Sequence, residues 1–114
     1  DAFTICLDIG HVALTGREPE DVIRTIGHDR LGALHVHDVD RINDTHTLPG
    51  INNRIRWEEV CRALGEINYT GELTLESVCF YHGFDKALYP EVLRFMNAVA
   101  KNLAQKVDSY RPKV

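Results

Sequence analysis

The stretch Gly32-Ala33-Leu34-His35-Val36-His37-Asp38 begins apolar and turns to ligand-type side chains at its C-terminal end. Upstream, Phe3-Thr4-Ile5-Cys6-Leu7-Asp8-Ile9-Gly10-His11 follows the same plan. Its near-continuous apolar run suits a strand of a parallel sheet covered on both faces. Downstream, Leu73-Thr74-Leu75-Glu76-Ser77-Val78, entered through Tyr69-Thr70-Gly71, reads as a third strand. Helices are expected between and after the strands. Pro19 suits a first helical turn, Val22, Ile23 and Ile26 form a short apolar stripe, and Gly27 is a natural stop. Trp57, Val60, Cys61 and Leu64 recur at helical spacing ahead of Gly65. A polar loop from Val39 to about Ile55, carrying Pro49-Gly50, precedes that helix. Beyond a loop from Phe80 to Phe84, a last helix from Asp85 or Pro90 to Val107 presents Val92, Phe95, Met96, Val99 and Leu103 to the core. Tyr110 to Val114 reads as a fraying tail.

Strand-helix alternation of this kind predicts a parallel α/β sheet. A (β/α)8 barrel spends about 31 residues on each unit, so 114 residues correspond to roughly 3.7 units. Three strands cannot close a barrel, which takes about eight, and an open sheet leaves two unpaired edges. The chain opens on Asp1, directly before a strand, with neither Met nor a signal peptide. The expected fold is therefore three consecutive βα units of a (β/α)8 barrel, an open parallel sheet unless a partner completes it.

Composition narrows the function. The formal net charge is −4 and no basic block occurs, which weighs against a dedicated nucleic-acid binder. No apolar run approaches the ~20 residues of a membrane span. The three cysteines, Cys6, Cys61 and Cys79, form no C-x-x-C pair. They fit reduced, mostly buried thiols and a cytoplasmic setting better than a disulfide framework. The glycines make no phosphate-cradling motif.

Ligand-type residues gather where each strand ends: Asp8 and His11, then His35, His37, Asp38 and Asp40, then Glu76. That edge is where parallel α/β folds build their sites. Glu76 lies in an apolar strand, where a carboxylate is costly to bury unless paired or metal-bound; the alternative is a side chain reaching solvent. His35 and His37, two apart, share a strand face. His37 is nearer the edge and the better ligand, with His35 behind it or in the core. The long loop adds Asp44-Thr45-His46, and neutral imidazole with carboxylate suits Zn²⁺, Mn²⁺ or a similar divalent ion. Arg41 is a candidate for a phosphate or sugar hydroxyl, or for pairing with Asp38 or Asp44. His28 and His82 read as surface or loop residues, His82 within possible reach of a substrate.

The succession Leu7-Asp8-Ile9-Gly10-His11, His35-Val36-His37-Asp38-Val39-Asp40, Asp44-Thr45-His46-Thr47-Leu48-Pro49-Gly50 and Leu73-Thr74-Leu75-Glu76-Ser77 resembles the C-terminal part of the xylose-isomerase-like TIM barrels. That superfamily includes sugar-phosphate isomerases and epimerases, and apurinic-site endonucleases of the endonuclease IV type. The resemblance spans nearly the whole chain and places it as the last three strand-helix units, residues 1–114 forming the C-terminal portion of a barrel. It implies a divalent metal (Mn, Zn, Co or Mg) held by Asp8, His37 and Glu76, with His11, Arg41 and His46 toward substrate. Glu76 becomes half of an acid/base pair whose other glutamate comes from an earlier strand. The implied reaction is isomerisation or epimerisation of a sugar or sugar phosphate, by proton transfer through a metal-stabilised enediolate. The alternatives are an endonuclease IV-like phosphodiesterase on abasic DNA, which would add His11, Asp44 and His46 as ligands, or an inactive fragment that self-associates. A homo-oligomer is the expected state.

Overall fold

The computed structural model describes residues 3–113. Asp1, with the expectation attached to it, Ala2 and the last residue of the predicted tail, Val114, lie outside the described residues. Three parallel strands, β1 (Ile5–Asp8), β2 (Leu31–Val36) and β3 (Thr74–Leu75), form one sheet in the order β1-β2-β3. The helices are α1 (Ile9–Leu14), α2 (Pro19–Ile26), α3 (Trp57–Glu66), α4 (Val78–His82) and α5 (Tyr89–Ser109), the last led in by a 3₁₀ turn at Lys86–Leu88. The strand-helix alternation read from the sequence is the one observed.

Register explains which residues are buried. Leu7 pairs with Leu34 and Val36 with Leu75, and this face packs on the helices. Ile9, Val60, Leu64, Leu103 and Val107 complete the core beneath it. The opposite face carries the alternate positions: Cys6 pairs with Ala33, and Asp8 with His35, which in turn pairs with Thr74. Cys6, Ala33 and Thr74 are exposed there. The expectation of a sheet covered on both faces therefore holds for one face only. The same geometry corrects the cysteine reading: Cys6 on the bare face and Cys79 on α4 are exposed, and only Cys61 is buried. Burial, aided by the nearby Glu58 charge, pushes the Cys61 thiol up to about 11, so it stays protonated and unreactive.

Several boundaries differ from the sequence reading, each for a local reason. The first strand stops at Asp8 because its carboxylate accepts the His11 backbone N–H (2.8 Å) and caps α1, so His11 stands on a helix. The third strand is two residues long, and residues 78–82, expected as strand end and loop, form α4. On α5, Val92, Met96, Leu103 and Val107 are buried, whereas Phe95 is 57% exposed and leaves the predicted stripe. Tyr110 is anchored rather than frayed: its hydroxyl donates to Glu58 and the Arg62 guanidinium lies over its ring. Arg111 donates to Asn68.

Two arginines tie the long loop back to α2. Arg41 contacts Glu18 (2.7 Å) and donates to the Arg54 carbonyl, so it pairs with neither Asp38 nor Asp44. Arg56 reaches the buried Glu20 carboxylate at 2.5 Å, a charge contact rather than a directed hydrogen bond.

Candidate metal centre

The parallel topology delivers the C-terminal ends of all three strands to one edge, and the long loop returns across it. Asp8 ends β1, His35 and His37 straddle the end of β2, and Glu76 follows β3, its backbone N–H still bonded to the Val36 carbonyl (2.8 Å). The loop is folded by Asp38. Its buried carboxylate accepts the backbone N–H groups of Val39 (3.0 Å), Gly50 (3.2 Å) and Asn52 (3.0 Å). Its backbone forms an antiparallel bridge with Thr47, whose carbonyl also accepts the Ser77 hydroxyl. Asp38 is thus a loop organiser rather than a ligand. Asp40 likewise spends its oxygens on Ile42 and Asn43, and those bonds hold its carboxyl below the ordinary carboxylate range.

This loop geometry sets Asp44 and His46 against the strand ends. Asp44 lies 3.0 Å from His11 Nε2 through one oxygen and 3.0 Å from His46 Nε2 through the other. His46 sits in the left-handed backbone region (φ 45°), a conformation that costs on the order of 1 kcal/mol and persists here because its ring is fixed at both nitrogens. Its Nδ1 donates to the Glu76 carbonyl (3.1 Å) while Nε2 faces Asp44. Burial works against its charged form, but these two acceptors outweigh it and hold the His46 pKa above the ordinary value. For Asp44, burial opposes ionisation, but His11 and His46 prevail and hold the carboxyl low.

His37 is fully buried. Its Nε2 meets Asp8 Oδ1 at 2.7 Å, its ring stacks on that of His46 with centroids 4.0 Å apart, and its Nδ1 is buried without a partner among the described residues. His35 departs from expectation: it is neither core nor behind His37 but 44% exposed, its Nδ1 3.5 Å from Glu76 Oε2 and 3.9 Å from Asp8 Oδ2.

Two groups of potential donors result, His11-His37-Asp44-His46 and Asp8-His35-Glu76, each with one ligand atom per residue within 4.8 Å of the others. Asp8, His37 and Glu76 are thereby split between two groups, joined through the Asp8–His37 contact. His11 and His46 stand in the site. Arg41 makes none of its hydrogen bonds there. His28, bonded to the Asn68 carbonyl, and His82, exposed beside Tyr81, are also outside it. The nearness of His35 to Asp8 and Glu76 was not read from the sequence. The available signal was its register opposite Asp8, which only the pairing of β1 and β2 reveals.

Gly10 makes this packing possible. A Cβ there would lie 2.2 Å from His37 Cε1 and 2.6 Å from both ring nitrogens. Gly10→Ala is expected to evict the imidazole, destabilise the fold by about 1–3 kcal/mol and abolish the Asp8–His37 contact. The His37 ring resonances in an NMR spectrum, with a urea melt, check both effects.

A family model described as xylose isomerase-like TIM barrel matches residues 1–99. No curated protein and no solved structure matches the chain significantly. Among the described residues, no helix is long and apolar enough to cross a membrane.

Proposed function

Because the chain belongs to the xylose isomerase-like TIM barrel family, we infer that it carries the metal-binding edge of a sugar or sugar-phosphate isomerase or epimerase. The observation that supports this most is the delivery of imidazole and carboxylate donors from three successive strand ends to one place. The donor set fits a divalent ion such as Mn, Zn, Co or Mg: mixed nitrogen and oxygen, with a buried imidazole nitrogen that has no partner among the described residues. Asp8, His37 and Glu76 are the residues that would hold it. Such an ion supplies Lewis-acid polarisation of substrate oxygens. Glu76 exchanges a proton at one reacting carbon of an open-chain sugar, as half of an acid/base pair whose other glutamate an earlier barrel strand supplies. Its carboxylate suits that exchange, since among the described residues its ion-pair contacts are with His35 and His46 alone and no Arg or Lys ties it down. His11, half-exposed on α1, faces the same space and orients a substrate oxygen, while His46, held at both ring nitrogens, lines it and Arg41 serves the loop.

We place turnover in a completed barrel. The bare sheet face and the open edges of β1 and β3 support association with further barrel strands or a second copy, and the chain alone is expected to bind the ion without turning over.

The four-residue group His11-His37-Asp44-His46 favours a second reading, a multi-metal phosphodiesterase. Elemental analysis of the completed barrel separates the two. A single ion per barrel is expected for the isomerase; several ions together with cleavage of abasic DNA would overturn it.

A further inference from the structure

Glu20, His37, Asp38 and Ser77 are the buried polar or charged residues among those described. Three of them stand at the strand edge or fold the loop across it; Glu20, 2% exposed, stands instead on the first turn of α2. Neither of its carboxylate oxygens has a hydrogen-bond partner among the described residues, and its close charged contact is the Arg56 guanidinium at 2.5 Å. A carboxylate buried on those terms costs stability, and an apolar side chain of the same size would serve the core better. Its charge therefore answers a need other than packing. We propose that Glu20 is a positioning residue for the strand-edge site: through Arg56, its charge seats the loop that carries Asp44 and His46. What the site does with that loop rests on the reading above, whereas the coupling of Glu20 to His46 does not.

The loop is braced at both ends on one short segment. Arg56, where the loop joins α3, reaches Glu20 and stands 3.8 Å from Glu18. Arg41, near the start of the loop, contacts Glu18 at 2.7 Å and donates from Nε to the Arg54 carbonyl at 2.8 Å. Its backbone is left-handed (φ 69°), unfavourable for a residue with a side chain, and these contacts offset the strain. Of the two carboxylates at the start of α2, only Glu20 is withdrawn from water, where its attraction for a guanidinium is screened least. The segment that precedes α2 carries His11 on α1. Seating the loop ends on α2 therefore sets the loop tip in register with His11. Asp44, three residues beyond Arg41, meets His11 Nε2 at 3.0 Å, and His46 donates to the Glu76 carbonyl and stacks on His37. Asp38 closes the loop upon itself through Val39, Gly50 and Asn52 and leaves the seat on α2 to the arginines.

The test follows the His46 ring by NMR in the metal-free 114-residue chain. The wild-type chain is expected to show a nuclear Overhauser contact between the His46 and His37 rings and a slowly exchanging His46 Nδ1–H. Glu20→Met keeps the bulk without the charge. It should lose the ring contact and speed the Nδ1–H exchange at least about tenfold. Its melting temperature should move by less than about 4 °C, with the far-UV circular dichroism unchanged. Glu20→Gln removes the charge at nearly constant shape, should do the same, and carries the test if the methionine variant fails to fold. Arg56→Lys, which keeps the cation, should preserve both signals. A His46 signature indifferent to both Glu20 substitutions overturns the positioning role, since a merely structural carboxylate would change stability alone. A wild-type chain without that signature overturns the seating of the loop, and the proposal with it. None of these readouts involves a metal ion or turnover, so the isomerase reading stands or falls separately, on the elemental analysis.

Discussion

Asp38→Ala is expected to be the most damaging single substitution at the strand edge, costing about 3–4 kcal/mol and lowering the melting temperature by about 12–20 °C. The cost arises from three backbone donors rather than from a lost contact surface. Val39, Gly50 and Asn52 all give their N–H groups to one buried carboxylate. Bonds to a charged acceptor contribute about 1.5–3 kcal/mol each, and a buried donor left without one costs about 1–3 kcal/mol, with incomplete additivity. Alanine offers no substitute acceptor. The consequence extends beyond stability, because the loop that Asp38 closes carries Asp44 and His46 to His11. Thermal denaturation followed by circular dichroism checks the first part, and loss of amide protection at Gly50 and Asn52 the second. Asp38→Asn retains one acceptor oxygen and should fall between the two. A shift smaller than about 3 °C for the alanine variant, well under the cost of one lost buried bond, would show that water satisfies these donors instead.

Glu76→Gln carries the largest expected effect on chemistry. In the completed barrel it should lower the rate of exchange of the substrate's α-proton with solvent deuterium by about 10²–10⁴-fold, the usual contribution of a positioned general base. The substitution removes both the proton acceptor and a charged donor oxygen while preserving shape. Stability should change by no more than about 0.5 kcal/mol, as for other accessible positions without Arg or Lys partners. That separation of activity from folding distinguishes a reacting group from a structural one. Full exchange activity with full metal content in the variant would remove Glu76 from the assignment.

Most of this fold was legible in the sequence because its signals are local. The apolar stripes of α2 and α3 need only composition and spacing and appear as read, while the strands appear in the order read but with shorter bounds. The donor residues were legible for a related reason: polar side chains at the end of an apolar strand are conspicuous. What stayed hidden is nonlocal. That Asp38 serves the loop while Asp44 faces the site depends on three backbone groups 1, 12 and 14 residues away. That His35 faces Glu76 depends on the register between β2 and β3. The open face depends on what pairs with β1, which no pattern within one strand encodes. The cap on α1 is local, Asp8 accepting the backbone N–H three residues on, but an Asp ahead of an apolar run did not by itself mark a helix start.

The central claim is that this edge binds a divalent ion through strand-borne carboxylates and imidazoles. Calorimetric titration of Zn²⁺ into the chain, compared with the double variant Asp8→Asn, Glu76→Gln, tests it most directly. Saturable binding by the wild-type chain that the double variant loses, at unchanged helix content, is the predicted result. A wild-type chain with no saturable uptake, or a double variant that binds zinc as tightly as the wild type, would contradict it.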